Sequence, residues 1–354
     1  METGGGPGGG AGERLGVVIA TRDRRDTLAR TLERLLALPE NPRIMVVDNA
    51  SRDGTADMVT RAFPGVDVLR MPVNRGALAR NAGVRALRTP YVAFSDDDSW
   101  WEPGSLGRAV DILAAHPAMG LLAAGITVEP GRSGDPEGRD TLDALDAVAA
   151  PAGTAGPTGP ERSEQPPPPR GRSGRPDPLN GVLAASPLGE GSVPGSRKVL
   201  GFLGCAAVVR RQAYLDVGGY HPLLFFGAEE TLLAYDLAAA GWEVVHCPDV
   251  VARHSPADVP RPGREALVRR NELLIAWLRR PLPLALRRTA SLCGDAVGDA
   301  QARRAARGLL PRLPAALRLR RPLPPAVEEA AALVEAVQPP RTTEPARPVK
   351  GATA

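Results

Sequence analysis

The sequence predicts an α/β fold: a mostly parallel sheet with helices on both faces, followed by a helical C-terminal extension. Three observations predict it. Short apolar runs, LGVVIA (15–20), RIMVVD (43–48), VDVLR (66–70) and YVAFS (91–95), are of strand length. They alternate with stretches whose apolar residues recur at helical spacing, the pattern of a parallel sheet covered on both faces. From about 262 to 335 the chain turns Leu- and Arg-rich and is broken by prolines, with no further strand pattern.

In chain order, residues 1–13 are glycine-rich and read as a disordered tail. After the first strand, Leu28, Leu32, Leu35 and Leu36 mark a helix. NASRDG closes the second strand as a turn, and Thr55–Phe63 is helical. A helix over 77–88 precedes the fourth strand. Leu106, Val110 and Leu113 mark another, stopped by Pro117, before the strand MGLLAAGITV (119–128). Residues 14–129 thus form one half of the domain. Residues 130–197, with QPPPP, GTAGPTGP and GRSGRP, have few aromatic or β-branched residues. Too little apolar area is available there to offset ordering entropy, so a low-complexity disordered insertion is expected. Residues 198–260 form the second half: KVLGFLGCAAVV, a helix through Tyr214, a helix over 229–240 and the strand WEVVHC (242–247). Residues 261–335 are the helical extension and 336–354 a second tail.

Composition narrows the function classes. The 354 residues carry a formal charge of +4 and Lys198 and Lys350 are the only lysines, so the basic character comes from Arg. With so much Ala, Gly and Pro this reads as coding bias, and no nucleic-acid partner is expected. Cys205, Cys247 and Cys293 are far apart, without a CxxC pair. That fits a reducing cytoplasm and neither a disulfide framework nor a zinc site. No apolar run approaches the ~18 residues of a membrane span. Residues 271–288 do combine an apolar stripe with Arg flanks, the make-up of an interfacial helix. A cytoplasmic protein is expected, with peripheral contact at the inner membrane face through this segment, unless the stripe packs on the catalytic body.

Three acidic sites follow predicted strands. Asp48 ends RIMVVD, where a carboxylate can accept a hydrogen bond from a nucleobase or simply form the turn. Asp96, Asp97 and Asp98 end YVAFS; adjacent carboxylates repel unless a cation or solvent compensates. Hard divalent cations take oxygen ligands and often bind through one or two carboxylates plus substrate phosphates. A solvated acidic turn is the plainer reading. Trp100 stands where a phosphatase of the aspartyl type needs a small residue. Glu229 and Glu230 open a helix behind an aromatic stretch. A Glu beside apolar walls can serve as a general base, although acidic residues favour a helix's first turn in any case. Thr21 and Arg22 end the first strand. Arg75, Arg80 and Asn81 lie in NRGALARNAG, where an Arg can hold a base or a diphosphate or cover a solvated helix face. His254 ends VVARH as a metal or phosphate ligand or as a structural residue. No GxxxxGK[ST] loop is present.

Together these segments resemble a family 2 glycosyltransferase of the GT-A fold. The matching stretches are LGVVIATRDRRDTLARTLERLL, RIMVVDNASRDGT, NRGALARNAGVRAL, YVAFSDDDSWWEPGSL, GGYHPLLFFGAEETLLAYDLAAAGWEV and VVARH, in family order. They cover most of 15–130 and 198–254. The resemblance implies an inverting, metal-dependent transfer of a sugar from a nucleotide-sugar donor to a hydroxyl of a glycan, a lipid-linked sugar or a small molecule. Thr21 and Asp48 match nucleoside-binding positions and Arg80 the Arg beside the donor nucleotide. Asp96 and Asp98 match the DxD motif, Asp96 facing the ribose and Asp98 ligating Mn2+ or Mg2+. Arg22 and Asp97 join the donor-binding set. Glu230 matches the general base, and His254 a late His that completes the metal or diphosphate site. Leu232 and Asp236 stand where the family often has Asp and Arg, and no QxxRW motif follows, which argues against a processive synthase. A catalytically impaired relative serving as a binding or scaffold subunit is the alternative. A sugar-nucleotide pyrophosphorylase would want a Gly-rich loop where this chain has TRDRRDT.

Overall fold

The computed structural model of the chain describes residues 11–129, 174–256 and 263–337. A one-turn helix α1 (Ala11–Arg14) leads into β1 (Leu15–Thr21). The N-terminal half continues through α2 (Arg25–Leu36), β2 (Arg43–Asp48), α3 (Thr55–Ala62), β3 (Asp67–Arg70), α4 (Ala79–Ala86), β4 (Tyr91–Ser95), β5 (Ser99–Trp101), α5 (Ser105–Ala115) and β6 (Met119–Val128). Leu28, Leu32 and Leu35 turn α2 onto the sheet, while Leu36 is exposed. The second half adds β7 (Arg175–Pro176), α6 (Pro178–Ala184), β8 (Arg197–Lys198), β9 (Ala207–Arg210), α7 (Arg211–Asp216), α8 (Glu229–Ala239) and β10 (Glu243–His254). The extension is α9 (Arg264–Arg279), α10 (Leu282–Asp295), α11 (Ala300–Leu309), α12 (Leu313–Arg318) and α13 (Pro325–Val337).

One sheet joins the ten strands, in the order β3-β2-β1-β4-β9-β6-β10-β5, with β7 on β6 and β8 on β10. The first four are parallel, as their alternation with helices predicts. Beyond β4 the sheet is mixed: β9 enters antiparallel between β4 and β6, and β5 and β8 lie antiparallel on β10. Parallel pairing returns between β6 and β10, so the expected parallel character holds in the N-terminal half and again between these two strands. Alternate side chains go to opposite faces: Val17 and Ile19 enter one apolar core and Val18 the other. A third core lies between the extension and α8, and holds Leu224, Leu232, Tyr235, Leu274 and Leu278.

Two expectations need correction. Of the insertion expected at 130–197, residues 174–197 are ordered, and 130–173 lie outside the described residues. Asp177 caps α6 by accepting from the Leu179 amide, Asn180 pairs with both backbone groups of Ile126, and Leu183 is buried. Composition hid this, because one cap, one amide and one leucine tie the segment to β6. The second concerns 271–288. Asn271 and Leu273 through Leu278 are buried in the protein, so the first part of the stripe packs on the catalytic body; Leu282 and Leu286 alone of that segment's large apolar side chains are exposed. No helix among the described residues is long and apolar enough to cross a membrane. Of the two expected tails, residues 11–13 belong to α1 and 336–337 to α13, and the rest lies outside the described residues.

Candidate active site

Parallel register brings the carboxyl ends of β1, β2 and β4 to one edge, where ligands bind in open α/β sheets. Thr21 pairs with Asp48, and Ile19 with Ser95, so Thr21, Asp48 and the aspartate triplet share that edge. The Asp48 carboxylate accepts from the Ser51 amide and closes its turn. The triplet is a tight turn between β4 and β5. The Asp96 amide donates to Ser99 Oγ (2.7 Å), the Ser99 amide donates to the Asp96 carbonyl (3.2 Å), and Trp101 Nε1 donates to Ser95 Oγ (3.2 Å).

From this turn the three carboxylates diverge. Asp97 turns inward, accepts from Thr21 Oγ1 (2.9 Å) and pairs with Arg24 (3.4 Å). Burial, and then the charge of Asp98, push its carboxyl up to about 7. Asp98 is buried and faces Arg24 Nη2 and His254 Nε2, each 3.4 Å away. His254 reaches it because β10 runs antiparallel to β5 with His254 opposite Ser99. Burial opposes the imidazolium, but the hydrogen bond to Asp98 and its charge outweigh burial and raise the His254 value. Asp96 is the most exposed of the three, at 39% of its side chain, and forms an ion pair with Arg80.

A carboxylate and an imidazole 3.4 Å apart, with a second carboxylate open to the cleft, suit a hard or borderline divalent cation. Among the described residues no three His, Cys, Asp or Glu side chains converge into a closed cation site. The donor set therefore fits an open site that phosphate oxygens complete.

Arg80 joins the two acidic groups. It is buried at the start of α4, and burial works against its charge. Asp96, with Tyr220, Glu229 and Glu230 behind it, outweighs that and raises the guanidinium above its ordinary value. Its Nε and the Nη1 of Arg22 are buried without a hydrogen-bond partner among the described residues, whereas Nε of Arg22 and of Arg24 face Asp23 and Asp97 as ion pairs at 3.3 and 3.4 Å. Orphaned guanidinium donors at an edge suited to a cation are what an anionic ligand would satisfy. Next to Arg80, the Asn81 side chain donates to the Tyr220 carbonyl (2.9 Å), and its Oδ1 accepts from Tyr214 Oη and the Tyr220 amide. Asn81 thereby fixes the Gly218-Gly219-Tyr220 turn to α4. Arg75 is held at its backbone, where its amide donates to the buried Asn49 Oδ1 (2.8 Å).

Glu229 and Glu230 come from a loop of unusual backbone. Phe225, Gly227 and Ala228 have φ of 63°, 87° and 62°. For the two non-glycine residues this left-handed conformation costs about 1–2 kcal/mol each. The Phe225 carbonyl accepts from the Ala77 amide (2.7 Å), and a Cβ on Gly76, itself at φ 58°, would lie 2.1 Å from that oxygen. Glycine at 76 is thus required for the loop to meet the turn before Arg80. The two glutamates differ: Glu229 is buried, with Oε2 unpartnered, whereas Glu230 is half-buried. A Cβ on Gly204 would lie 2.9 Å from Glu230 Oε1 and 3.4 Å from Tyr220 Oη. Burial raises both carboxyls. For Glu229 the charge of Glu230 adds to it; backbone hydrogen bonds and the charge of Arg80 pull back against it in both.

The structure therefore groups Asp96, Asp97, Asp98, His254 and Arg80 tightly, extends from Arg80 to Glu229 and Glu230, and sets Thr21, Arg22 and Asp48 along the adjoining strand ends. Sequence reading missed Arg24, Asn49, Gly204 and Tyr220. Arg24 stands among five arginines or aspartates in TRDRRD, and nothing in the pattern separates it from Arg22. The GFLGC stretch reads as strand, but residues 199–206 form none, and Gly204 is there to leave room for Glu230. Leu232 and Asp236 both face the extension. Leu232 is buried in the third core, and the Asp236 carboxylate pairs with both Nε and Nη2 of Arg279 on α9.

Residues 16–145 match the sequence profile of Glycosyl transferase family 2. The N-acetylglucosaminyl-diphospho-decaprenol L-rhamnosyltransferase of Mycobacterium tuberculosis (strain ATCC 25618 / H37Rv) is 26% identical over 262 residues, 69% of this chain and 76% of that protein. The succinoglycan biosynthesis protein ExoU of Rhizobium meliloti (strain 1021) is 33% identical over 96 residues, so the match spans 26% of this chain and 28% of that protein. Among solved structures, GalNAc-T7 with UDP, GalNAc and Mn2+ superposes with a TM-score of 0.50 at 16% identity, over 74% of this chain and 47% of that one. That likeness is one of fold, the GT-A arrangement. Residues 16–145 are thus a glycosyl transferase family 2 domain, carried on a fold of the GT-A type.

Proposed function

We propose that the chain is an inverting, divalent-cation-dependent glycosyltransferase that moves a sugar from a nucleotide-sugar donor to an acceptor hydroxyl. The observation that carries the reading is the buried Arg80, paired with Asp96 and within the field of Glu229 and Glu230, which makes one cleft of the two acidic groups. Thr21, Asp48 and Asp96 bind the nucleoside, with Asp97 ordering the turn beneath. Asp98 and His254 would hold the cation, which when bound supplies charge neutralisation for the leaving diphosphate. Arg22, Arg24 and Arg80 add fixed positive charge at the same edge, already desolvated and so effective as the leaving group's charge develops. Glu230, the more open glutamate, takes the proton of the acceptor hydroxyl. The acceptor oxygen bonds to the anomeric carbon from the face opposite the diphosphate, whose bond to that carbon breaks, and one displacement inverts the centre.

A lipid-linked sugar is the favoured acceptor, because the relative aligned over 262 residues is an N-acetylglucosaminyl-diphospho-decaprenol rhamnosyltransferase. Membrane contact would then fall to the outer face of α11 and α12, where Leu310, Leu317 and Leu319 are exposed among Arg304, Arg307, Arg318 and Arg321. The alternative of a binding-only subunit draws nothing from the departures at 232 and 236, since both residues are used in packing α8 on α9. The test is a screen of UDP-, GDP- and dTDP-sugars with MnCl2 or EDTA, followed by NMR of the product anomer. Full activity in EDTA would remove the cation from the reading, and retained configuration would remove inversion.

A further inference from the structure

We propose that Asn271, seated by Arg270, is the positioning residue that sets the Leu224–Ala228 loop and with it the register of Glu229 and Glu230. The proposal rests on the reading of Glu230 as the general base. Both residues lie on α9, outside the sheet, and both are buried; Asn271 has no exposure at all. The Asn271 Nδ2 group donates to the carbonyls of Leu224 (2.9 Å), Phe226 (2.8 Å) and Gly227 (2.6 Å). An amide has two hydrogens, so three carbonyls share them, and the loop is gathered around one nitrogen. The orientation of the amide is fixed from the other side. Asn271 Oδ1 accepts from Arg270 Nε (3.0 Å) and Nη2 (2.8 Å), and Arg270 Nη2 also donates to the Leu224 carbonyl (3.0 Å). Arg270 in turn fits because Gly308 of α11 has no side chain: a Cβ there would lie 2.9 Å from Arg270 Cδ.

What these bonds hold is the approach to the site. Three of the four residues 225–228 are left-handed, and α8 begins at Glu229 without a side-chain cap. Locally, backbone amides of Gly227, Glu229 and Glu230 engage the two carboxyls, and the placement of these amides follows the loop. The three clamped carbonyls immediately precede the helix start. The loop also carries the Phe225 carbonyl that accepts from Ala77, so the same clamp braces the turn that leads to Arg80. A helix outside the sheet thereby governs the backbone that carries the proposed base and braces its neighbouring cation. Burial alone would ask only for an apolar residue at 271; a carboxamide with its oxygen turned to Arg270 and its nitrogen to three carbonyls is a specific device for holding backbone.

Asn271→Asp keeps size and the acceptor toward Arg270 but removes both donated hydrogens; Asn271→Ala removes the group without adding charge. Hydrogen exchange on the full chain reads the clamp without any substrate. Amides of 222–229 should exchange about tenfold faster or more in either variant, with β1 and α11 unchanged, because local openings differ independently of global stability. Donor hydrolysis, on whichever sugar nucleotide the wild type turns over, should lose about 10–100-fold in kcat, the cost of misplacing a group by about 1 Å. KM for the donor and binding of UDP, GDP or dTDP with MnCl2 should hold. A folded variant with unchanged loop exchange, or a loss confined to KM, overturns the proposal. If neither variant folds, native-state exchange of the wild type in low denaturant decides: loop and α9 amides should share one opening free energy, and a loop that opens well before α9 overturns it. Glu230→Gln separates the two readings. Full activity there rejects Glu230 as base, while the exchange result still judges the clamp.

Discussion

The Asp96–Asp98 turn and the loop before Glu229 bring carboxylates to the same cleft and are held in opposite ways. The turn joins two strands of the sheet, closes on its own Ser99 and leans on Thr21 of the neighbouring strand. The loop has left-handed backbone at three positions, and its partners are Gly76 on one side and a helix more than forty residues later in the chain on the other. A regular scaffold carries the aspartate turn, and a strained loop, over-determined from outside the sheet, carries the glutamate proposed as the base.

The largest expected effect tests which glutamate is the base. Glu230→Gln keeps size and hydrogen bonding but cannot take the proton, and general-base loss costs about 10²–10⁴ in rate. Nucleoside diphosphate binding should stay unchanged, because its contacts belong to the Asp48 and Asp98 side. Glu229→Gln should lose far less turnover, since adjacent helical side chains point about 100° apart and Glu229 is the buried one of the pair. Turnover of both variants checks this; a dead Glu229→Gln beside an active Glu230→Gln would move the base by one residue.

On the donor side, Asp98→Ala should reduce turnover by about 10²–10³, the scale seen when one preorganised stabiliser of developing charge is removed. Unlike Glu230→Gln, it should also abolish the Mn2+ dependence of nucleoside diphosphate binding by calorimetry. A binding curve that still responds to Mn2+ would show that the cation is held elsewhere. A smaller effect is expected at the seam between the regions. Gly204→Ala puts a methyl 2.9 Å from Glu230 Oε1, so the carboxylate must move. A loss of about tenfold or more in kcat with Tm unchanged is expected from misplacement alone. A loss of folding instead would mean that Gly204 serves the backbone.

Legibility in the sequence divides along the same line. The parallel strands, the Asp triplet and the nucleoside positions lie in contiguous apolar runs and their ends, where periodicity and strand-end chemistry can be read directly. The path of residues 199–206 could not be read, because an apolar run with two glycines looks like strand when one of them, Gly204, in fact makes room for a carboxylate. The 174–197 segment was hidden by its composition, and its anchors Asn180 and Leu183 are single residues among many prolines and glycines. Replacing 177–195 with a Gly/Ser linker should therefore lower Tm, since it removes the pairing with Ile126 and the buried Leu183. The extension was legible as helical, yet its purpose was not: the Leu/Arg stripe of 271–278 resembles a lipid-facing helix until Asn271 is seen against the loop. Contacts across forty residues leave no spacing signature.

The smallest expected effect concerns stability and pH. Glu229 is buried with one oxygen unpartnered, and burial, followed by the charge of Glu230, holds its carboxyl well above the ordinary 4.5. Between that ordinary value, which governs the unfolded chain, and the raised folded value, the folded protein keeps a proton that the unfolded chain has lost. Stability must then fall as pH rises through this window, because the unfolded state binds fewer protons there. Glu229→Gln removes the titration. Its Tm should match wild type below pH 4.5, exceed it increasingly as pH rises, and keep a constant lead once the folded carboxyl has ionised. Each 1 kcal/mol of that lead corresponds to about 1–2 °C in a chain of this length. Glu230→Gln should give a lead of the same sign but smaller, because Glu230 is less buried than Glu229. Melting curves of the three proteins from pH 4 to 9 check both statements. A larger lead for Glu230→Gln would mean that the inner carboxylate of the pair is Glu230, and the assignment of base and support would reverse with it.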